Sequence, residues 1–208
     1  MLENLAMNFI RVITLGVFVM LVPAAGSQAV SDVPPDRTIA AYEIYSFLLQ
    51  HPVLEDGRWP RKFWLIDADT HLGPFEDPGA IEPPPERAKE AQELFADYKV
   101  HSGETLHLEA ARIQASVAVH LADAETRKRF TASLRFGHQT EAAAAAEFDG
   151  IPSIDTFSPV FFNRSKTLAM VYVGEYCGGL CANARWVVLE RTDGGWKQLP
   201  WVHSFMIS

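Results

Sequence analysis

Hydrophobic positions along the chain fall into stretches of different spacing, and each spacing predicts a different element. Val12 to Leu21 is an uncharged, mostly apolar run with Arg11 just before it. From Ile39 the apolar residues recur three and four apart, at Ile39, Tyr42, Tyr45 or Ser46, and Leu49. That spacing predicts a helix from about Arg37 to Gln50, with Asp36 as its cap. His51-Pro52 ends it, because proline disfavours helical geometry in the residue before it. A turn at Glu55-Asp56-Gly57 leads to Lys62-Phe63-Trp64-Leu65-Ile66, an aromatic and apolar strand.

Residues 73–85 hold five prolines and two glycines, and so predict a loop. The Ala-, Glu- and Lys-rich stretch 86–98 predicts a helix, and 115–121 a short buried strand. Asp123 is placed to cap a helix through about Leu134, and Thr140 to cap a shorter one over 141–148. Beyond that point the spacing drops to two. Stretches 157–162, 167–175, 185–191 and 196–206 read as strands, separated by Asn163-Arg164-Ser165-Lys166, a cysteine loop and Asp193-Gly194-Gly195. Links this short demand antiparallel neighbours. The expected fold class is therefore α+β, with N-terminal and central helices packed on a C-terminal antiparallel four-stranded meander.

The first apolar run changes the picture of compartment. It is followed by the bent, small-residue stretch Val22-Pro23-Ala24-Ala25-Gly26 and then by Ser27-Gln28-Ala29. A basic flank, a short apolar core and a small-x-small exit are the marks of a secretory signal. Residues 1–29 read as a signal peptide, translated from Met1 or Met7, and 30–208 as one domain that is exported, periplasmic or secreted. The apolar core is shorter than the ~20 residues a spanning helix needs, so no membrane contact is expected after cleavage. The leader holds one acid and one base, so the mature chain keeps the net charge of −8. That acidity excludes the electrostatic footprint of a nucleic-acid binder.

Two cysteines occur, in Cys177-Gly178-Gly179-Leu180-Cys181. Flanking strands would set them opposite each other, and an oxidising compartment favours their disulfide. Closing so short a ring is worth roughly 2 kcal/mol. Certain exported copper proteins also use C-x-x-x-C, but on a thioredoxin-like frame with a distal His; here antiparallel strands flank the pair. The segment 157–208, with Val171-Tyr172-Val173, the CGGLC loop, Val187-Val188-Leu189-Glu190-Arg191 and Gly194-Gly195-Trp196, resembles the tail of a group of exported bacterial proteins without an assigned activity. The ending departs from that group, since four residues follow Trp201-Val202-His203-Ser204. The resemblance implies a shared fold and no catalytic residues.

Asp67, Asp69 and His71 would share one face of a strand at spacing two, a set suited to a metal or to acid–base work. No further ligand is fixed nearby, so no metal or cofactor is expected. In His101-Ser102-Gly103-Glu104-Thr105-Leu106-His107 strand spacing turns Glu104 away from both histidines, which predicts a surface turn. His120 closes an apolar strand and reads as a core-edge residue. Trp186, Trp196 and Trp201 read as core or as one sheet face. Nucleophile-elbow, zinc-helix and phosphate-loop motifs do not occur. What remains is a non-catalytic binding or inhibitory module whose partner is an envelope protein or a small ligand. The alternative is a small hydrolase or metal-dependent enzyme using Asp67, Asp69 and His71.

Overall fold

Proline sets where the first helix starts. In the computed structural model, which describes residues 34–52, 61–73, 77–134, 146–178, 181–201 and 203–207, α1 spans Pro35–Gln50 and its N-cap Pro34 offers no side-chain bond. Asp36 therefore lies inside the first turn instead of capping it, and its carboxylate accepts from Lys166 Nζ at 2.5 Å. Asp123 does cap α3 (Ala124–Ser133), accepting from the Thr126 backbone N–H at 2.7 Å. The third helix, α2, spans Ala88–His101. The expected signal peptide, the turn at 55–57 and the Thr140 cap lie outside the described residues.

The strands form one mixed sheet. Strand β1 (Phe63–Asp67) lies between β2 (Ala118–Ala122) and β3 (Ile154–Phe157) and runs parallel to both. Antiparallel pairing then carries the sheet from β3 to β5 (Leu168–Gly178), to β6 (Cys181–Thr192) and to β7 (Gly195–Gln198). Two short strands complete it. β4 (Phe161–Phe162) pairs with β5, and β8 (His203–Ile207) pairs with β6.

This topology overturns the expected four-stranded antiparallel meander, although helices and strands do mix in an α+β chain. The parallel pair was missed because β1 and β2 are joined by a long crossover containing α2, and such a connection leaves no local turn signature. Two expected strands are also split by proline. Stretch 157–162 breaks at Pro159, where the Ser158 hydroxyl accepts the Tyr172 N–H at 2.9 Å in place of a ladder carbonyl. Stretch 196–206 breaks at Pro200, between β7 and β8, which follow each other along β6.

Both faces of the central strands are covered, so they read as continuous apolar runs instead of alternating ones. Ala169, Val171, Val187 and Leu189 pack against Ile44, Tyr45 and Leu48 of α1. The intervening Met170, Tyr172, Trp186 and Val188 pack against Ala91 and Leu94 of α2. Farther along that second face, Leu65 and Ile154 meet Phe130 of α3. One sheet thus separates α1 from α2 and α3, and the positions of β3, β5 and β6 that these helices cover are buried between layers.

Candidate functional site

Asp67 ends β1 on the α3 face, with only 4% of its surface exposed. Its carboxylate accepts from the Thr156 hydroxyl of β3 at 2.5 Å and is paired with the Arg127 guanidinium of α3. His71 Nε2 lies 3.7 Å away, beyond hydrogen-bond reach, and His71 Nδ1 is 3.2 Å from the Asp69 carbonyl. Asp69 goes elsewhere. Its exposed carboxylate meets His107 Nδ1 at 2.8 Å, and the two residues form an isolated bridge between 69 and 107. The three residues nominated by spacing thus divide into Asp67 with His71, and Asp69 with His107. Among the described residues no three His, Cys, Asp or Glu side chains gather so as to hold a metal ion.

The other nominated residues are placed as follows. His101 Nδ1 lies 2.6 Å from Glu104 at the end of α2, apart from His107. His120 stacks on Phe63 with ring centres 4.2 Å apart. Trp186 is fully buried and Trp201 nearly so, while Trp196 is half-buried beneath Arg191. Cys177 and Cys181 are joined in a disulfide at the β5–β6 hairpin, their Cα atoms 5.1 Å apart. Gly178 there has φ +109°, a conformation that favours glycine.

A different cluster lies on the α1 face. Along β5 and β6 the inward positions are apolar under the body of α1 and become charged past its end. Glu175 follows Val173 on β5, and Arg185 stands opposite Val173 on β6. Asp155 of β3 stands opposite Glu175. α1 stops at Gln50, so beyond it the sheet is left with a cavity of about 190 Å³. Leu48, Leu49, Trp64, Phe157 and Val173 give it an apolar wall. Arg61, Ser153, Asp155, Glu175 and Arg185 give it a polar side.

The chemistry of that polar side is unbalanced. Arg61 Nη1 donates to Asp155 at 2.9 Å and to the Ser153 hydroxyl at 3.2 Å, and its guanidinium lies 4.2 Å over the Trp64 ring. Burial pushes the Asp155 carboxyl up to about 8, against the pull of Arg61 and with help from Glu175. Arg185 is 6% exposed, and burial lowers its guanidinium while Glu175 and Asp155 oppose that shift. Among the described residues its Nε has no hydrogen-bond partner, and neither has the buried Nε1 of Trp64. Each orphaned donor costs about 1–3 kcal/mol unless something supplies an acceptor. Both residues belong to the lining of the cavity.

No family model matches this chain, and no curated protein or solved structure does either. Function therefore has to be read from the site itself.

Sequence reasoning passed over Asp155, Glu175 and Arg61, and treated Arg185 only as a strand start. A signal did exist. Asp155 stands between Ile154 and Thr156, and Arg185 between Ala184 and Trp186, so each interrupts a stretch that is otherwise buried. A full charge at an inward strand position is rare unless it is paired or used.

Proposed function

We propose that this chain is an exported, non-catalytic binding module of the cell envelope, which takes a small organic ligand in the cavity beyond the end of α1. The observation that carries the reading is a partly apolar cavity lined by the charged groups Arg61, Asp155, Glu175 and Arg185, together with Trp64. Export is supported by the apolar leader of residues 12–21 with its small-residue exit and by the disulfide. No helix among the described residues is long and apolar enough to cross a membrane. The enzyme alternative is weaker, because the Asp67 carboxylate is already committed to Arg127 and Thr156.

The test is a thermal-melt panel of small acids, amines, alcohols and sugars against the wild type and Val173→Phe, which fills the cavity. One compound class raising Tm in the wild type and not in the folded variant supports the module. A panel that shifts neither protein, or both equally, contradicts it. Mass spectrometry of secreted protein tests export, with an amino terminus at or near Val30 as the expected result.

A further inference from the structure

We infer that two copies of this chain associate through the outer edge of β2, pairing Ala118–Ala122 antiparallel with itself about a two-fold axis at His120. This goes beyond the binding-module reading and does not depend on it.

β2 ends the sheet, with β1 on one side and no described strand on the other. The Ala122 carbonyl accepts from the Ala68 N–H at 3.0 Å, so Ala122 turns its main-chain groups towards β1. Alternation along the strand gives Ala118 and His120 the same direction and points Val119 and Leu121 outwards. A sheet edge of this kind is ordinarily blunted by a charge, a proline or a very short strand. At the other end of the sheet, β7 is four residues long and carries Lys197. Over 115–122 the chain has neither a charge nor a proline.

The sequence of the strand favours a second copy as the occupant. Ala118-Val119-His120-Leu121-Ala122 reads almost the same in both directions about His120. Pairing it with itself sets Val119 opposite Leu121 of the other copy, twice over, and each of these pairs exchanges both N–H···O bonds. Val119 and Leu121 are half-buried on the α1 side, so the pairing also extends that apolar layer across the axis. Such a contact is isologous and closes at two chains. Charge agrees with it. Each copy carries −8, and the strand is a place where two copies meet without opposing acids. The nearest charges are Arg112 before the strand and Asp123 after it, both exposed. Antiparallel pairing brings the Arg112 end of each copy to the Asp123 end of the other.

Sedimentation equilibrium of the purified protein over a rising concentration series is expected to move the mass from one chain to two. His120 is exposed, and it faces its own copy across the axis. His120→Asp and His120→Lys each oppose two like charges there, and each should weaken association at least about tenfold. Cysteine cross-linking reads the register. The Cα atoms of a non-hydrogen-bonded antiparallel pair lie about 4.5 Å apart, within disulfide range. Mild oxidation should therefore link two copies of His120→Cys well before two copies of Ser116→Cys, which this register sets opposite Ala124. Should the charged variants not fold, the cross-linking pair decides alone. An edge that instead takes a strand from a different protein leaves this chain single at every concentration, and that result overturns the inference. Association that survives both charged variants in folded form, or equal cross-linking at 116 and 120, overturns it as well.

Discussion

Asp67 and Asp155 sit on neighbouring parallel strands, with Ile66 opposite Asp155 in the register, and they face opposite layers of the molecule. Both are nearly inaccessible, at 4% and 3% exposure. Asp67 is met on the α3 side by a guanidinium and a hydroxyl from two other elements, which complete it. Asp155 is met on the α1 side by one guanidinium, and beside it lies a cavity whose lining includes Trp64 and Arg185, each with a buried N–H that has no acceptor among the described residues. A buried acid completed by its own chain fastens elements together. One whose surroundings are left incomplete implies that something else finishes the set.

The largest expected difference between the two is in pH dependence. The folded Asp155 carboxyl keeps its proton to about 8, while the unfolded chain releases it near 3.8. Between those values the folded state binds the extra proton, so this contribution is fully present below about 4 and is lost as pH rises towards 8. The groups facing it, Arg61, Arg185 and Glu175, act within that same balance. Asp36, Asp123 and Asp149 work in the other sense. Lys166, the Thr126 backbone N–H and Lys62 respectively hold them below their usual value, so their contribution is lost only on acidification below about 4. Denaturant titrations should therefore show stability falling from pH 5 to 8, by no more than about 1.4 kcal/mol per pH unit. Asp155→Asn should flatten that slope, and an unchanged slope breaks the comparison.

Removing the completed acid should cost more at fixed pH. Asp67→Ala strands Arg127 and Thr156, and because Arg127 is 38% exposed the loss should be about 2 kcal/mol, below the usual cost for a fully buried pair. Asp155→Asn at pH 7 should cost less than about 1 kcal/mol, since the amide replaces a carboxyl that is mostly protonated. Equal losses by chemical denaturation would erase the distinction.

Sequence pattern located most of these elements and neither charge cluster as it stands. Helical spacing and the Asp123 cap were legible because the bonds that make them lie within four residues. The pairing of β1 with β2 was not, because it joins residues 55 apart such as Phe63 and Ala118, with nothing local to record the register. The same holds for the site. Arg61 reaches Asp155 across 94 residues, and only the fold shows that Arg185 lies on that face. Asp67, Asp69 and His71 were conspicuous because they are close in sequence, yet the strand ends at Asp67, so spacing two no longer governs Asp69 and His71.

The smallest effect sharpens that last point. Asp69 and His107 are both more than half exposed, and such pairs contribute roughly 0–1 kcal/mol. Asp69→Ala should lower stability by less than about 1 kcal/mol and leave the Tm shift given by the melt panel unchanged. A larger loss, or an altered shift, would tie the two clusters together.

The most direct measurement follows the two unpartnered donors themselves. Proton–nitrogen spectra resolve the Trp64 Nε1–H and the Arg185 Nε–H, and they also resolve the Trp186 Nε1–H, which is equally unpartnered but packs in the core on the α2 side. The compound that raises Tm in the melt panel should move the Trp64 and Arg185 signals together, with one shared Kd, and leave Trp186 in place. Signals from Trp64 and Arg185 that stay fixed at a saturating concentration of that compound, or that move no more than Trp186, would contradict a ligand site in this cavity.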